Sequence, residues 1–482
     1  MNQKKAIVSG LSWKFAERIT AQAITFFVSI IIARLLEPTA YGQVSLVMIF
    51  ISIANVLVTS GFGNSLIQKK DADDLDFSSV FYAQLLLSFL LYFLIFLIAP
   101  YVELYYGTDF RGLGSVLRVL GLRIPLSAIN NVQQSYVSRR MIFKKFFVAT
   151  LFGTVLSAVV GIYMAYAGFG VWALVFQYLT NTTVDTIVLF ITMEWRPKCA
   201  FSFERLKPLM NYGWKLLCTD LLNSVLNNFR SLIIGKAYSS EDLAYYNKSE
   251  QFPSLIVTNI NASLQSVLFP AMSNVQNDHE EVKHILRKTI STGAFVIFPM
   301  VYGFMAVADS VVILLLTEKW AECIPYVQVF CISYSLRIIS TSCAQSIKAI
   351  GRSDVYMKSV VIYKILELIS IVITAMISVK AIAIGTVINA VIIVVIQFYC
   401  NNKYIGYTFR EISKDMLPIV TLTAIMTASV WCLRSIGQGI GVLLLRILTG
   451  AIIYIGGSFL LKVPALHDLI GLVKTFVTKK IE

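Results

Sequence analysis

Charge is the first thing this sequence is short of. Asp, Glu, Lys and Arg make up 14% of its 482 residues, whereas apolar residues make up 57%. A soluble globular domain carries about 25% charged residues, and the mean hydropathy here is +0.73. That balance excludes a soluble enzyme with a large core and points to a polytopic membrane protein. Histidine is scarce as well. His279, His284 and His467 all fall in polar linkers. The two in HEEVKH (279–284) stand five apart, off a common helix face, which argues against a zinc helix. The seven cysteines form no CxxC pair and mostly lie in apolar runs, which leaves them as small packing residues rather than disulfides or metal ligands. There is no GxSxG, no Walker loop and no Rossmann fingerprint. No cofactor is therefore expected, and any driving force is expected from a proton or sodium gradient instead of bound ATP. The apolar run after Ile19 leads into RLLEPTAYG without a small-residue cleavage site, so it is expected to stay as a first span.

What the sequence does have is long apolar runs. A spanning helix needs about 20 apolar residues. The hydropathy pattern gives about fourteen such spans: 13–36, 41–66, 78–102, 112–137, 146–167, 171–193, 212–236, 244–272, 287–308, 323–348, 358–379, 381–401, 414–434 and 441–461. The formal charge of +14 could suggest nucleic acid, but its placement does not. With the N-terminus inside, 29 of the 41 Lys and Arg residues fall in or beside the inner segments, as the positive-inside rule requires. No nucleic-acid partner is expected. An even number of spans puts both termini in the cytoplasm.

The chain also repeats itself. Trp13 opens WKFAERITAQAITFFVSIIIARLLEPTAYGQV, and Trp214 opens a similar stretch 201 residues later. MAYAGFGVWALV (164–175) aligns with MISVKAIAIGTV (376–387) at an offset of 212, and LRIP (122–125) with LRII (336–339) at 214. The predicted fold is all-α: two pseudo-symmetric six-helix bundles plus two C-terminal helices. The expected divisions are an N-lobe at 1–195, an amphipathic cytoplasmic linker at 196–211, a C-lobe at 212–404, two further spans at 405–462 and a cytoplasmic tail at 463–482. An even helix number per repeat sets the pseudo-twofold axis along the membrane normal.

Several polar residues interrupt the apolar runs. The fourth span carries Arg111, Arg118 and Arg123, and the repeat pairs Arg123 with Arg337. A guanidinium is always charged, and an intramembrane charge is by default a functional hypothesis. Arg111 and Arg118, seven apart, are expected on one face of that helix. The seventh span places Asp220, Asn223, Asn227 and Arg230 on one face, and a polar face in lipid must turn inward. Gln22 on the first span and Asn259 on the eighth extend the set. Arg provides fixed charge and a planar fork for phosphate, while Asn and Gln provide paired donors and acceptors for sugar hydroxyls. The expected cargo is an anionic glycolipid head group, which Arg118, Arg123, Arg337, Arg230, Arg111, Asn223, Asn227, Asn259 and Gln22 would bind. If an ion drives transport, a membrane carboxylate should carry it. Asp220 is the first candidate, followed by Glu250, Glu17, Asp185 and Glu367.

RLLEPTAYGQVSLVMIFISIANVLVTSGFGNSLIQKKD (34–71), SYVSRRMIFKKF (135–146), AGFGVWAL (167–174) and SLQSVLFPAMSNVQND (263–278) resemble the polysaccharide transporter family, with its Wzx-type flippases, in the MOP superfamily. The resemblance covers nearly the whole chain. It implies a secondary-active transporter, not an enzyme, with two six-helix bundles around a cavity. The implied activity is export of an undecaprenyl-pyrophosphate-linked oligosaccharide (an O-antigen, capsule or exopolysaccharide repeat unit) from the inner to the outer leaflet of the bacterial cytoplasmic membrane, coupled to an ion. Membrane lipids, a polysaccharide polymerase and a chain-length regulator are the partners it implies. Two other readings are a multidrug or cation antiporter of the same superfamily and a membrane polysaccharide polymerase. The first predicts acidic cavity residues, where basic ones dominate here. The second predicts a large loop or a catalytic constellation, and neither is present in the sequence.

Overall fold

The structure, a computed structural model, describes residues 3–437 and 439–467. Every regular element among the described residues is helical. The chain divides into two compact units, Met1–Ala244 and Tyr245–Glu482. Unit 1 holds α1 (Gln3–Leu35), α2 (Pro38–Thr59), the short α3 (Phe62–Gln68), α4 (Asp74–Tyr106), α5 (Leu113–Leu120), α6 (Arg123–Arg140), α7 (Phe143–Tyr166), α8 (Val171–Thr192) and α9 (Phe203–Ala237). α10 (Ser240–Asn274) begins at its end. Unit 2 continues with α11 (His279–Leu316), α12 (Cys323–Ser335), α13 (Arg337–Ala349), α14 (Ser353–Ala375), α15 (Val379–Ile405), α16 (Phe409–Cys432) and α17 (Ile440–Leu460). Twelve spans among the described residues are long and apolar enough to cross a membrane. α9 and α14 have the length but are more polar: Asp220, Arg230 and the asparagines between them interrupt the first, and Lys358, Lys364 and Glu367 the second. The hydropathy reading counts these two helices among its fourteen spans.

Local chemistry sets the helix starts. Pro38 sits in the first turn of α2, where its missing N–H costs nothing. α4 opens with a reciprocal capping box between Asp73 and Asp76, and α16 with another between Thr408 and Glu411. The backbone N–H of Asp76 holds the Asp73 carboxyl below the usual carboxylate range.

Three sequence expectations change. The fourth and tenth spans are each two helices. α5 stops at Leu120 and α6 starts at Arg123; α12 stops at Ser335 and α13 starts at Arg337. The helix restarts are 214 residues apart, the offset that pairs LRIP with LRII. The 3-10 turns Thr108–Phe110 and Glu318–Trp320, which precede these broken spans, also correspond. The linker is not a separate surface helix. α9 runs without a break from Phe203 through the seventh span. Its first turns bury Leu206 and Leu209 against Leu66, Phe77, Phe81 and Trp195, and that packing carries the helix onward from the surface. The unit boundary accordingly falls after α9 and not before it, because α9 packs on α2, α3 and α4. At one crossing Gly61, with φ of +85°, approaches Gly213 so closely that a Cβ on Gly61 would lie 2.3 Å from the Gly213 carbonyl oxygen.

α16 and α17 belong to unit 2 rather than standing beside it. Arg287 on α11 grips Asp415 on α16 through two 2.8 Å bonds, and Lys283 pairs with Glu411 at 3.1 Å. On α17, Tyr454 Oη donates to the Phe295 carbonyl at 3.0 Å. Most of the expected cytoplasmic tail, 468–482, lies outside the described residues.

Candidate substrate-binding and ion-coupling residues

In unit 1 the interruption at Gly121–Leu122 puts Arg123 on the first turn of α6. There its guanidinium meets α8: Nε donates to Thr182 Oγ1 at 2.9 Å, and the group lies 5.4 Å from the centre of the Tyr178 ring. Nη1 is 3.0 Å from Met48 Sδ on α2. This holds Arg123 half-buried with a cation–π partner and a neutral acceptor, and with no carboxylate within ion-pair distance among the described residues. Farther along α6, Asn130 Nδ2 donates to Asp185 Oδ2 on α8 at 2.8 Å, and its Oδ1 accepts from Gln134.

Unit 2 repeats the motif. Arg337 opens α13, exposed, with its guanidinium 4.3 Å from the centre of the Tyr334 ring. Tyr334 Oη donates to Glu250 Oε1 on α10 at 2.9 Å. One tyrosine therefore joins a predicted cargo residue and a predicted ion-coupling residue. Each unit presents one arginine, at the same register of a broken span, backed by a tyrosine.

The other predicted residues have different surroundings. Arg118 turns to α4, donating to the Phe96 carbonyl at 3.1 Å and lying 4.4 Å from the centre of the Phe96 ring. Arg111 precedes the helix altogether, in the turn before Gly112, and its carbonyl accepts from Gln43. The expected common face of Arg111 and Arg118 therefore does not exist, because Gly112 in the left-handed region starts the helix only afterwards. On α9, Asn223 and Asn227 are exposed and Arg230 is half-buried. Asp220 accepts from Ser60 Oγ at 2.8 Å. Asn259 bonds its own helix at the Leu255 carbonyl. Gln22 and Glu17 are half-buried on α1, and Glu367 on α14 pairs with Lys364 at 2.8 Å.

Sequence reasoning missed a fully buried charge within a span. Arg446 on α17 is fully buried. It bonds Asp309 Oδ1 at 3.3 Å and Ser310 Oγ at 2.7 Å, while Arg434 Nε takes Asp309 Oδ2 at 2.9 Å. The signal was present as a lone arginine inside an apolar run, LLLRILT. Lys248 on α10, also buried, was passed over in the same way.

An apolar groove of about 670 Å³ runs along unit 2 between α11 and α16, from Phe409 past Met416 and Tyr302 to Trp431. Among the described residues, no group of His, Cys, Asp and Glu could hold a metal ion.

The chain is similar to several proteins named for the biosynthesis of cell-surface glycans. It is 22% identical over 424 residues to the lipopolysaccharide biosynthesis protein WzxC of Escherichia coli K12, covering 85% of this chain and 84% of that one. It is 22% identical over 351 residues to the succinoglycan biosynthesis transport protein ExoT of Rhizobium meliloti, covering 73% and 71%. The teichuronic acid biosynthesis protein TuaB of Bacillus subtilis is 23% identical over 355 residues, covering 73% and 72%. In fold, the structure is similar to the inward closed conformation of the lipid II flippase MurJ, with a TM-score of 0.77 and 14% identity over 95% of this chain and all of that one. An inward-facing MATE transporter of the MOP superfamily gives 0.61 at 16% identity, over 80% and 94%. The family model described as "Polysaccharide biosynthesis protein" matches residues 31–325, more than half of the sequence, and the chain belongs to that family.

Proposed function

We propose that this protein is a flippase that carries an undecaprenyl-pyrophosphate-linked oligosaccharide from the inner to the outer leaflet of the bacterial cytoplasmic membrane, by alternating access and with ion coupling. The observation that carries this reading is the matched pair Arg123 and Arg337. Taking a pyrophosphate through hydrocarbon is prohibitive unless its charge is met on the way. An arginine that already has a carboxylate partner is spent. These two rest on tyrosine rings and, in Arg123, a threonine hydroxyl, so the fork stays available for a phosphate. The amides on α9, exposed at Asn223 and Asn227, suit sugar hydroxyls. The groove along α16 suits a polyprenyl chain. The names of WzxC, ExoT and TuaB fit the same cargo class, and a polymerase and a chain-length regulator would act on the exported unit.

The test is complementation of a flippase-null strain alongside a flux assay in vesicles. Arg123→Ala and Arg337→Ala should insert normally and abolish export of lipid-linked glycan. Normal complementation by both would make the arginines structural and remove the reading.

A further inference from the structure

Within unit 1, α6 and α8 meet along one polar seam. Arg123 Nε bonds Thr182 Oγ1 at 2.9 Å, and Thr186 Oγ1 bonds the Thr182 carbonyl at 2.7 Å. Asn130 Nδ2 reaches Thr186 Oγ1 at 3.3 Å and Asp185 Oδ2 at 2.8 Å. The seam ends on an unusual carboxyl. Asp185 Oδ1 is buried and has no donor among the described residues.

Among the described residues, no cation pairs with Asp185. α7 presents Gly153, where even a Cβ would lie 3.3 Å from the Asp185 Cβ. α6 presents the neutral amides of Asn130 and Gln134, with Arg123 at the far end of the seam. α2 contributes Met48 and Tyr41, both at the Arg123 end, and Arg118 on α5 is turned to α4. α1 contributes Glu17, flanked by Lys14 and Arg18, whose carboxyl lies close enough to feel the Asp185 charge. A second carboxyl adds repulsion, not compensation.

The internal repeat places an uncharged residue at the corresponding position. At the offset of 212, Asp185 corresponds to Gln397 on α15. Gln397 is buried and donates to Ser359 Oγ at 3.0 Å. Ser359 stands on α14, so this amide meets a different neighbour from the one Asp185 meets on α6, and its Oε1 is likewise buried without a donor among the described residues; what differs is that unit 2 places a neutral side chain where unit 1 places a carboxyl.

We infer that Asp185 binds and releases the coupling proton, and that the seam links its protonation to the hold of Arg123 on the cargo. A proton entering from one side of the membrane adds to Oδ1, giving a neutral acid that still accepts from Asn130 at Oδ2. Its release to the other side restores the carboxylate, so one proton crosses and nothing else is consumed. A hydrogen bond to an ionised acceptor is roughly twice as strong as one to a neutral acceptor. Neutralising Asp185 therefore lets the Asn130 amide, which already reaches Thr186, shift its weight along the seam toward Thr182 and Arg123. The link to cargo rests on the proposed function, but the proton site does not.

Two measurements on the full chain in lipid test this. Infrared spectra between alkaline and acid buffer should show a carboxylic-acid band that is missing in Asp185→Gln and returns in Asp185→Glu. Asp185→Gln carries the unit 2 residue and should unfold thermally like the wild type. In proteoliposomes with a fluorescent polyprenyl-pyrophosphate disaccharide, a pH gradient should stimulate wild-type transport several-fold. Asp185→Gln should still bind the probe, with an affinity that no longer changes with pH, and lose that stimulation. A band that persists in Asp185→Gln, or an intact gradient response, overturns the inference. A wild type that binds no probe yet shows the Asp185 band would instead sink the proposed cargo and leave the proton site standing.

Discussion

Arg118 and Arg123 stand five residues apart in one span, yet their neighbours differ completely. Arg118 is occupied by the carbonyl and ring of Phe96, in a place where a polar side chain snorkels along its own bundle. Arg123 rests on neutral groups that a phosphate can outbid. Arg118→Ala should therefore export glycan within about twofold of wild type, a loss of under ~0.5 kcal/mol, while Arg123→Ala should fail. Arg123→Lys should recover only part of the flux, because lysine keeps the charge and loses the fork. Export assays at matched membrane abundance separate the three. Asp220 gives a further contrast. It already accepts from Ser60, and Asn can accept the same bond. Asp220→Asn should keep its response to an ion gradient, and loss of that response would return Asp220 to the head of the coupling candidates.

At the scale of elements, one buried triad ties α17 to α11. Arg446 has no water to fall back on, and Asp309 holds two guanidiniums at once. Removing one member strands the other charge, a loss of about 3–5 kcal/mol. Arg446→Ala should lower the thermal midpoint of the protein in detergent by that measure, whereas Arg446→Met with Asp309→Leu should cost far less. An unchanged midpoint in Arg446→Ala would mean that the triad carries no load. The Gly61–Gly213 crossing predicts a second effect. Gly61→Ala meets both a left-handed backbone and a carbonyl at 2.3 Å, so α9 must shift on α3. Limited proteolysis near 200–215 should accelerate in that variant.

The whole molecule has an orientation that its own cysteines can test. Cys199, before α9, and Cys432, at the end of α16, are both exposed. With cytoplasmic termini, Cys199 faces inward and Cys432 outward. In single-cysteine variants an impermeant maleimide should label Cys432 in intact cells and Cys199 only after permeabilisation. The opposite pattern would invert the arrangement. At this scale most of the architecture was legible in the sequence, because apolar length, basic clusters and a 212–214 residue repeat are properties of the chain itself. The break before Arg123 was less so. LRIP hints at it through Pro125, but LRII has no proline and breaks at the equivalent residue.

The sequence by itself determined the membrane class, the duplication and the two arginines that the duplication pairs. These follow from composition and spacing, which need no neighbours to be read. Tertiary structure alone decided which arginines are already occupied, that α9 packs with unit 1, and that Asp185 rather than Asp220 has a buried oxygen with no donor among the described residues. Those depend on what stands across the helix: a carbonyl at Phe96, a glycine at Gly213, a serine at Ser60. In an apolar medium a polar side chain takes its role from the partner it finds, and the partners here come from segments up to 160 residues away.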